Sequence, residues 1–148
     1  MLMPLPLFAQ TGATAMFPPE ASCFHRQYDT AHLAKHPQQF VSDIALTPAE
    51  GQEVSTSLVV DISIKLRGVS DSYIGSAYCE PDALGLSCGM KGDAGAFTLV
   101  LRDGGALLLK VDPRGMSFEG DQTFLTLSGT TGDDRAFLLQ PVAAADCF

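Results

Sequence analysis

From Leu58 to Leu66 the hydrophobic residues Leu58, Val60, Ile62, Ile64 and Leu66 fall on one side of an extended chain, while Asp61, Ser63, Lys65 and Arg67 fall on the other. A period of two marks a strand with one buried face, and a helix cannot bury such a pattern because its side chains recur every 3.6 residues. Shorter runs of the same kind follow at about 71 to 79, 86 to 90, 96 to 102, 106 to 112, 115 to 119, 122 to 128 and 135 to 141, after a first strand near 39 to 47. Glycine and proline punctuate them: Pro48, Gly51, Gly68, Pro81, Gly85, Gly92, Gly104, Pro113, Gly120 and Gly129 recur roughly every ten residues. That is the rhythm of an antiparallel meander.

Only one helix is expected, at about Thr30 to His36, with Asp29 or Thr30 as its N-cap and Pro37 ending it. The expected fold is all-β: a small antiparallel up-and-down β-barrel of eight or nine short strands, or a strongly curved sandwich, with one short N-terminal helix. Closure protects the strand edges. Residues 39–148 form the barrel domain in this reading, and 16–38 an N-terminal segment carrying the helix.

One hairpin can be read to the residue. Phe97, Leu99 and Leu101 share a face with Val111, Leu109 and Leu107 only if Asp103-Gly104-Gly105 is a three-residue loop with glycine in the left-handed conformation. A related hairpin is expected from Phe124 to Leu139, with Gly129, Gly132, Asp133 and Asp134 in its turn.

Residues 1–15 carry no charge, hold a short apolar stretch around Leu2, Leu5, Leu7 and Phe8, and end in the A-x-A pattern Ala13-Thr14-Ala15. They read as the remnant of a signal peptide whose basic start lies upstream of Met1. Pro4 and Pro6 interrupt a stretch already too short to span a bilayer. Four cysteines in an exported chain imply disulfides, and zinc-type C-x₂-C spacing is absent. Cys79 and Cys88 bracket a Pro-Gly loop, and Cys23 and Cys147 mark the two ends of the folded region, so the expected pairs are Cys79–Cys88 and Cys23–Cys147.

A hydrophobic fraction of 46% beside a net charge of −8 supports a buried core and a soluble acidic surface. With 9 Lys and Arg against 17 Asp and Glu, the chain lacks the basic surplus that nucleic-acid binding requires. No cofactor is expected. His32 and His36 stand four apart on the expected helix and, with His25, are weak candidates for a metal, but no H-E-x-x-H motif is present. Their plainer role is structural, His36 meeting the negative end of the helix dipole. Aspartates at the turns lack the spacing of a calcium loop, and no serine lies in G-x-S-x-G.

Charge distribution is more informative. In a meander alternate connections share an end, which gathers Glu50, Glu53, Glu80, Asp82, Asp103, Glu119 and Asp121 at one rim with Arg102 as the only base. Such a rim steers a basic protein partner. Export, a small barrel and two disulfides together are similar in architecture to bacterial periplasmic inhibitors of lysozyme or proteases and to small lipocalin-like carriers. The expectation is a monomeric, secreted or periplasmic, non-enzymatic binding protein of inhibitor type. The alternatives are a carrier of a small apolar ligand inside the barrel, lined by Leu58, Val60, Ile62, Phe97, Leu99 and Leu107, and a hydrolase of undefined type.

Overall fold

The computed structural model describes residues 23–49 and 58–147. The expected signal remnant, Glu50 and Glu53 lie outside them. Among the described residues there is one α-helix, α1 (Thr30–Lys35), and nine strands: β1 (Cys23–Gln27), β2 (Val41–Pro48), β3 (Leu58–Leu66), β4 (Ser72–Pro81), β5 (Leu86–Met90), β6 (Gly95–Leu101), β7 (Leu107–Glu119), β8 (Phe124–Leu127) and β9 (Ala136–Val142). Each of β1 to β7 pairs antiparallel with the next, and β9 joins β7 to β1, so these eight strands close a barrel. β8 is a ninth strand outside the ring, paired with β7.

The alternation in β3 does what it predicts: Val60, Ile62 and Ile64 are 0% exposed. Together with Leu99, Leu107, Leu109 and Leu139, also at 0%, they belong to one buried cluster that includes Phe97, Phe118 and Phe137. A side chain with no accessible surface borders no space that could admit water, so these residues fill the interior. The six residues that a carrier would need as a lining belong to this filling, none more than 5% exposed.

The β6–β7 hairpin forms in the expected register, Leu101 opposite Leu107 and Leu99 opposite Leu109. Gly104 and Gly105 take φ of 77° and 82°, which a β-carbon disfavours. Both disulfides form as read, Cys23–Cys147 across 124 positions and Cys79–Cys88 across 9. Cys79 and Cys88 are direct partners across the β4–β5 ladder.

Three features differ from expectation. Cys23–Gln27, read as part of a helical lead-in, is a full barrel strand seated between β2 and β9. The runs 106 to 112 and 115 to 119, read as two strands, are the single strand β7. Pro113 and Gly115 bend it without reversing it: residues 112 to 115 have no register partner on either side, and Gly115 lies at φ 81° with the Leu127 carbonyl packed where a β-carbon would stand. Finally, Phe124 to Leu139 is not a hairpin. β8 and β9 both pair with β7, on Met116–Glu119 and Leu107–Lys110 respectively, so residues 128–135 form an excursion between two strands laid along one neighbour.

Losing one reversal changes which loops meet. One end of the barrel, the disulfide end, carries the β4–β5 loop at 82 to 85, the β6–β7 loop at 102 to 106 and the Cys23–Cys147 bridge. The other, the helix end, carries α1, the β3–β4 turn at 67 to 71, the β5–β6 turn at 91 to 94, the β7–β8 turn at 120 to 123 and the 128–135 excursion.

Candidate binding site

Of the acidic residues expected at one rim, Glu80, Asp82 and Asp103 lie at the disulfide end and Glu119 and Asp121 at the helix end. The straight passage of β7 through Pro113 accounts for the split. At the disulfide end Asp82 is turned onto its own loop, its Oδ1 accepting the Leu84 and Gly85 amides at 2.9 and 2.8 Å. Arg102 and Lys110 line the same depression as Asp82 and Leu84. That rim is therefore mixed in charge.

The helix end is built differently. Asp29 caps α1 through the His32 amide at 2.7 Å, and Arg67 binds the carbonyls of Leu33 at 3.0 Å and Pro37 at 2.6 Å. The helix buries no residue of its own, so these caps fasten it to the β3–β4 turn. The His32 ring donates from Nε2 to Gln39 Oε1 at 2.9 Å and stacks on His36 at 4.4 Å between ring centres. His25 stands on β1, 3.7 Å from Asp43. His32 and His36 thus stand together on the helix and His25 apart from them on β1, and among the described residues no group of three His, Cys, Asp or Glu is placed to hold a metal.

Tyr28 leads from β1 into α1. Burial pushes its phenol up to about 12, against the opposing pull of the Arg26 cation, whose guanidinium lies 4.9 Å above the ring. Asp134, in the excursion, is buried with its carboxylate on the start of β2: Oδ2 accepts the Phe40 amide at 2.8 Å and Oδ1 the Val41 amide at 3.3 Å. Burial raises its pKa above the usual 3.8, and the two amide bonds only partly counter this.

Between the start of β2 and the outer side of β8 runs a groove of about 320 Å³, within the range of ligand sites. Phe40, Leu66 and Val69 form one bank and Leu125 the other, with Arg67 and Asp134 beside them. Phe40 is 56% and Val69 43% exposed, and Phe124, the first residue of β8, is 78% exposed. A second, more polar hollow shares Val69 and continues past Asp71, Tyr73, Asp121 and Thr123. Asp71 accepts the amides of Asp121 and Gln122 at 3.2 and 3.4 Å, which brings the β3–β4 and β7–β8 turns together. The Tyr73 hydroxyl bonds Thr123 at 2.9 Å.

Comparison with protein-family models, with curated proteins and with solved structures finds no match for this chain. Its function must be argued from the groove itself.

Sequence reasoning passed over Phe40, Val69, Phe124 and Asp134. Three of them leave a signal in the chain: Phe40 and Val69 are large apolar residues in connections, and Phe124 opens β8 on the exposed side of its alternation. Asp134 leaves none, because it follows Asp133 in a turn and nothing in the sequence tells the buried carboxylate from the exposed one.

Proposed function

We propose that the protein is a non-enzymatic binding domain, exported to a secreted or periplasmic setting, which holds a protein partner of basic character at the helix end of its barrel. Two disulfides and no free cysteine suit an oxidising compartment. No helix among the described residues is long and apolar enough to cross a membrane. The observation that carries the reading is the groove: exposed Phe40 and Val69 line it, Val69 also borders the hollow with Asp71 and Asp121, and Glu119 stands on the strand leading into the turn that holds Asp121. Apolar surface left in water beside carboxylates fits a partner that offers both apolar and cationic side chains. The filled interior weighs against a carrier.

A lysozyme serves as the basic protein probe. Its association is expected to be fast at low salt and to slow as the Debye length falls from ~10 Å at 0.1 M to ~3 Å at 1 M. Glu119→Gln with Asp121→Asn should slow it, and Glu80→Gln with Asp103→Asn should not. The reverse result would move the site to the disulfide end, and no effect of either pair would overturn the proposal.

A further inference from the structure

The groove has a wall made of backbone. β8 pairs with β7 through Met116↔Leu127, Ser117↔Thr126, Phe118↔Leu125 and Glu119↔Phe124, and no other described strand pairs with it. In an antiparallel ladder, opposite residues alternate between those that exchange backbone bonds and those that do not. The Gly120 amide bonds the Thr123 carbonyl at 2.8 Å, which sets the phase. Leu125 and Leu127 therefore spend their amides and carbonyls on β7, while those of Phe124 and Thr126 point away from it, toward the groove.

The opposite bank shows how this fold treats such an edge where it is closed. The amides of Phe40 and Val41 at the start of β2 go to no other strand, and the Asp134 carboxylate takes both. β1 has by then left the barrel for α1, and β9 does not begin until Ala136. Among the described residues a strand position is thus open in the wall at this end, with the β2 edge taken by Asp134 on one side and the β8 edge bare on the other.

We propose that the groove receives an extended peptide segment of the partner, which adds as a strand antiparallel to the free edge of β8. This rests on the reading of the helix end as the partner surface and deepens it. Strand addition draws affinity from backbone bonds and specificity from alternate side chains. Here the edge offers the Phe124 and Thr126 backbone groups, and Phe40, Leu66 and Val69 offer apolar contact to every second residue. A segment running antiparallel to β8 leaves the groove at the Phe124 end, beside Asp71 and Asp121. Charge complementarity there calls for lysine or arginine C-terminal to the apolar residues.

The probe is an acetylated, amidated octapeptide of alternating threonine and valine with two C-terminal lysines, titrated to millimolar concentration against the ¹⁵N-labelled protein. Amide shifts are expected at residues 124–127 and at Phe40 and Val69. Thr126→Pro removes one free-edge amide and spares the β7 ladder, since proline is tolerated on the open side of an edge strand. It should weaken binding at least tenfold. The same peptide N-methylated on alternate backbone amides should lose binding to the wild-type protein, a result that depends on no variant's folding. Unchanged affinity in both experiments overturns strand addition, and if Phe40→Ala still weakens binding the groove remains the partner surface. Absence of shifts at 124–127, or shifts there that grow with protein concentration without peptide, also overturns it, the latter by assigning the edge to a second copy. Failure of the broader reading is seen separately, in lysozyme association that ignores Glu119 and Asp121.

Discussion

The two ends of the barrel hold their loops by different chemistry. At the disulfide end, covalent bonds fasten β1 to the C-terminal segment and β4 to β5. At the helix end the same task falls to side chains: Asp134 on the start of β2, Arg67 on the carbonyls of Leu33 in α1 and Pro37 just beyond it, Asp71 on the β7–β8 turn. A covalent tie holds a loop whatever surrounds it, whereas a side-chain tie holds one only while its hydrogen bonds persist. The groove lies at the end held by the reversible ties. A surface that must admit a partner is better served by restraints that can shift by a hydrogen bond than by ones that cannot.

The largest effect that would break this comparison is reduction. Opening Cys23–Cys147 releases a loop whose closure is worth up to ~4.7 kcal/mol on chain-entropy grounds, against roughly 2 to 3 kcal/mol for Cys79–Cys88. A domain of this size holds about 5 to 15 kcal/mol in total. Paired replacement of Cys23 and Cys147 by alanine should therefore lower the urea midpoint far more than the same change at Cys79 and Cys88. Equal midpoints would show that the long bridge restrains nothing.

Next in size is Asp134→Ala, which strands the Phe40 and Val41 amides at the edge of β2 and should cost about 2 kcal/mol at neutral pH. Its pH dependence has a definite sign. The folded carboxyl holds its proton more tightly than the unfolded one, so its contribution is full below the unfolded value of 3.8 and is lost as pH rises through the raised folded value. The gap between wild type and Asp134→Ala in urea melts should accordingly be wider at pH 3.5 than at pH 7. A gap that narrows toward acid would mean that burial does not dominate at this carboxylate.

The smallest effect is spectroscopic. Tyr28 should ionise near pH 12, as read from the difference in phenolate absorbance before and after Tyr28→Phe. Ionisation of Tyr28 near 10 would show that water reaches the root of the helix freely.

Where a segment's pattern depends only on its own two faces, the chain could be read directly. β3, the Asp103–Gly105 hairpin and the Asp29 cap all appear as expected. β1 was hidden because five residues mixing Cys, Phe, His, Arg and Gln show no clean alternation, and its seat between β2 and β9 is set by closure of the ring. β7 was misjudged because Pro113 and Gly115 are turn residues by local chemistry. What keeps the strand going is the presence of β8 and β9 along its two halves, a long-range fact. That one misjudged reversal is also why the expected acidic rim divides between the two ends. The groove was beyond local reading altogether, since its banks, Phe40, Leu66 and Val69 against Leu125, come from distant parts of the chain and meet only in the closed barrel.

The long disulfide also determines how the molecule responds to mechanical load. Force applied through the chain on either side of Cys23 and Cys147 passes across one sulfur bridge and bypasses 124 positions, so the barrel between them bears no tension. Once the bridge is cut, load falls on Cys23 and Val142, which are register partners at the same end of the antiparallel pair β1 and β9. Pulled from there, the two strands peel apart one rung at a time instead of sliding past one another, and the barrel opens like a zip along that seam.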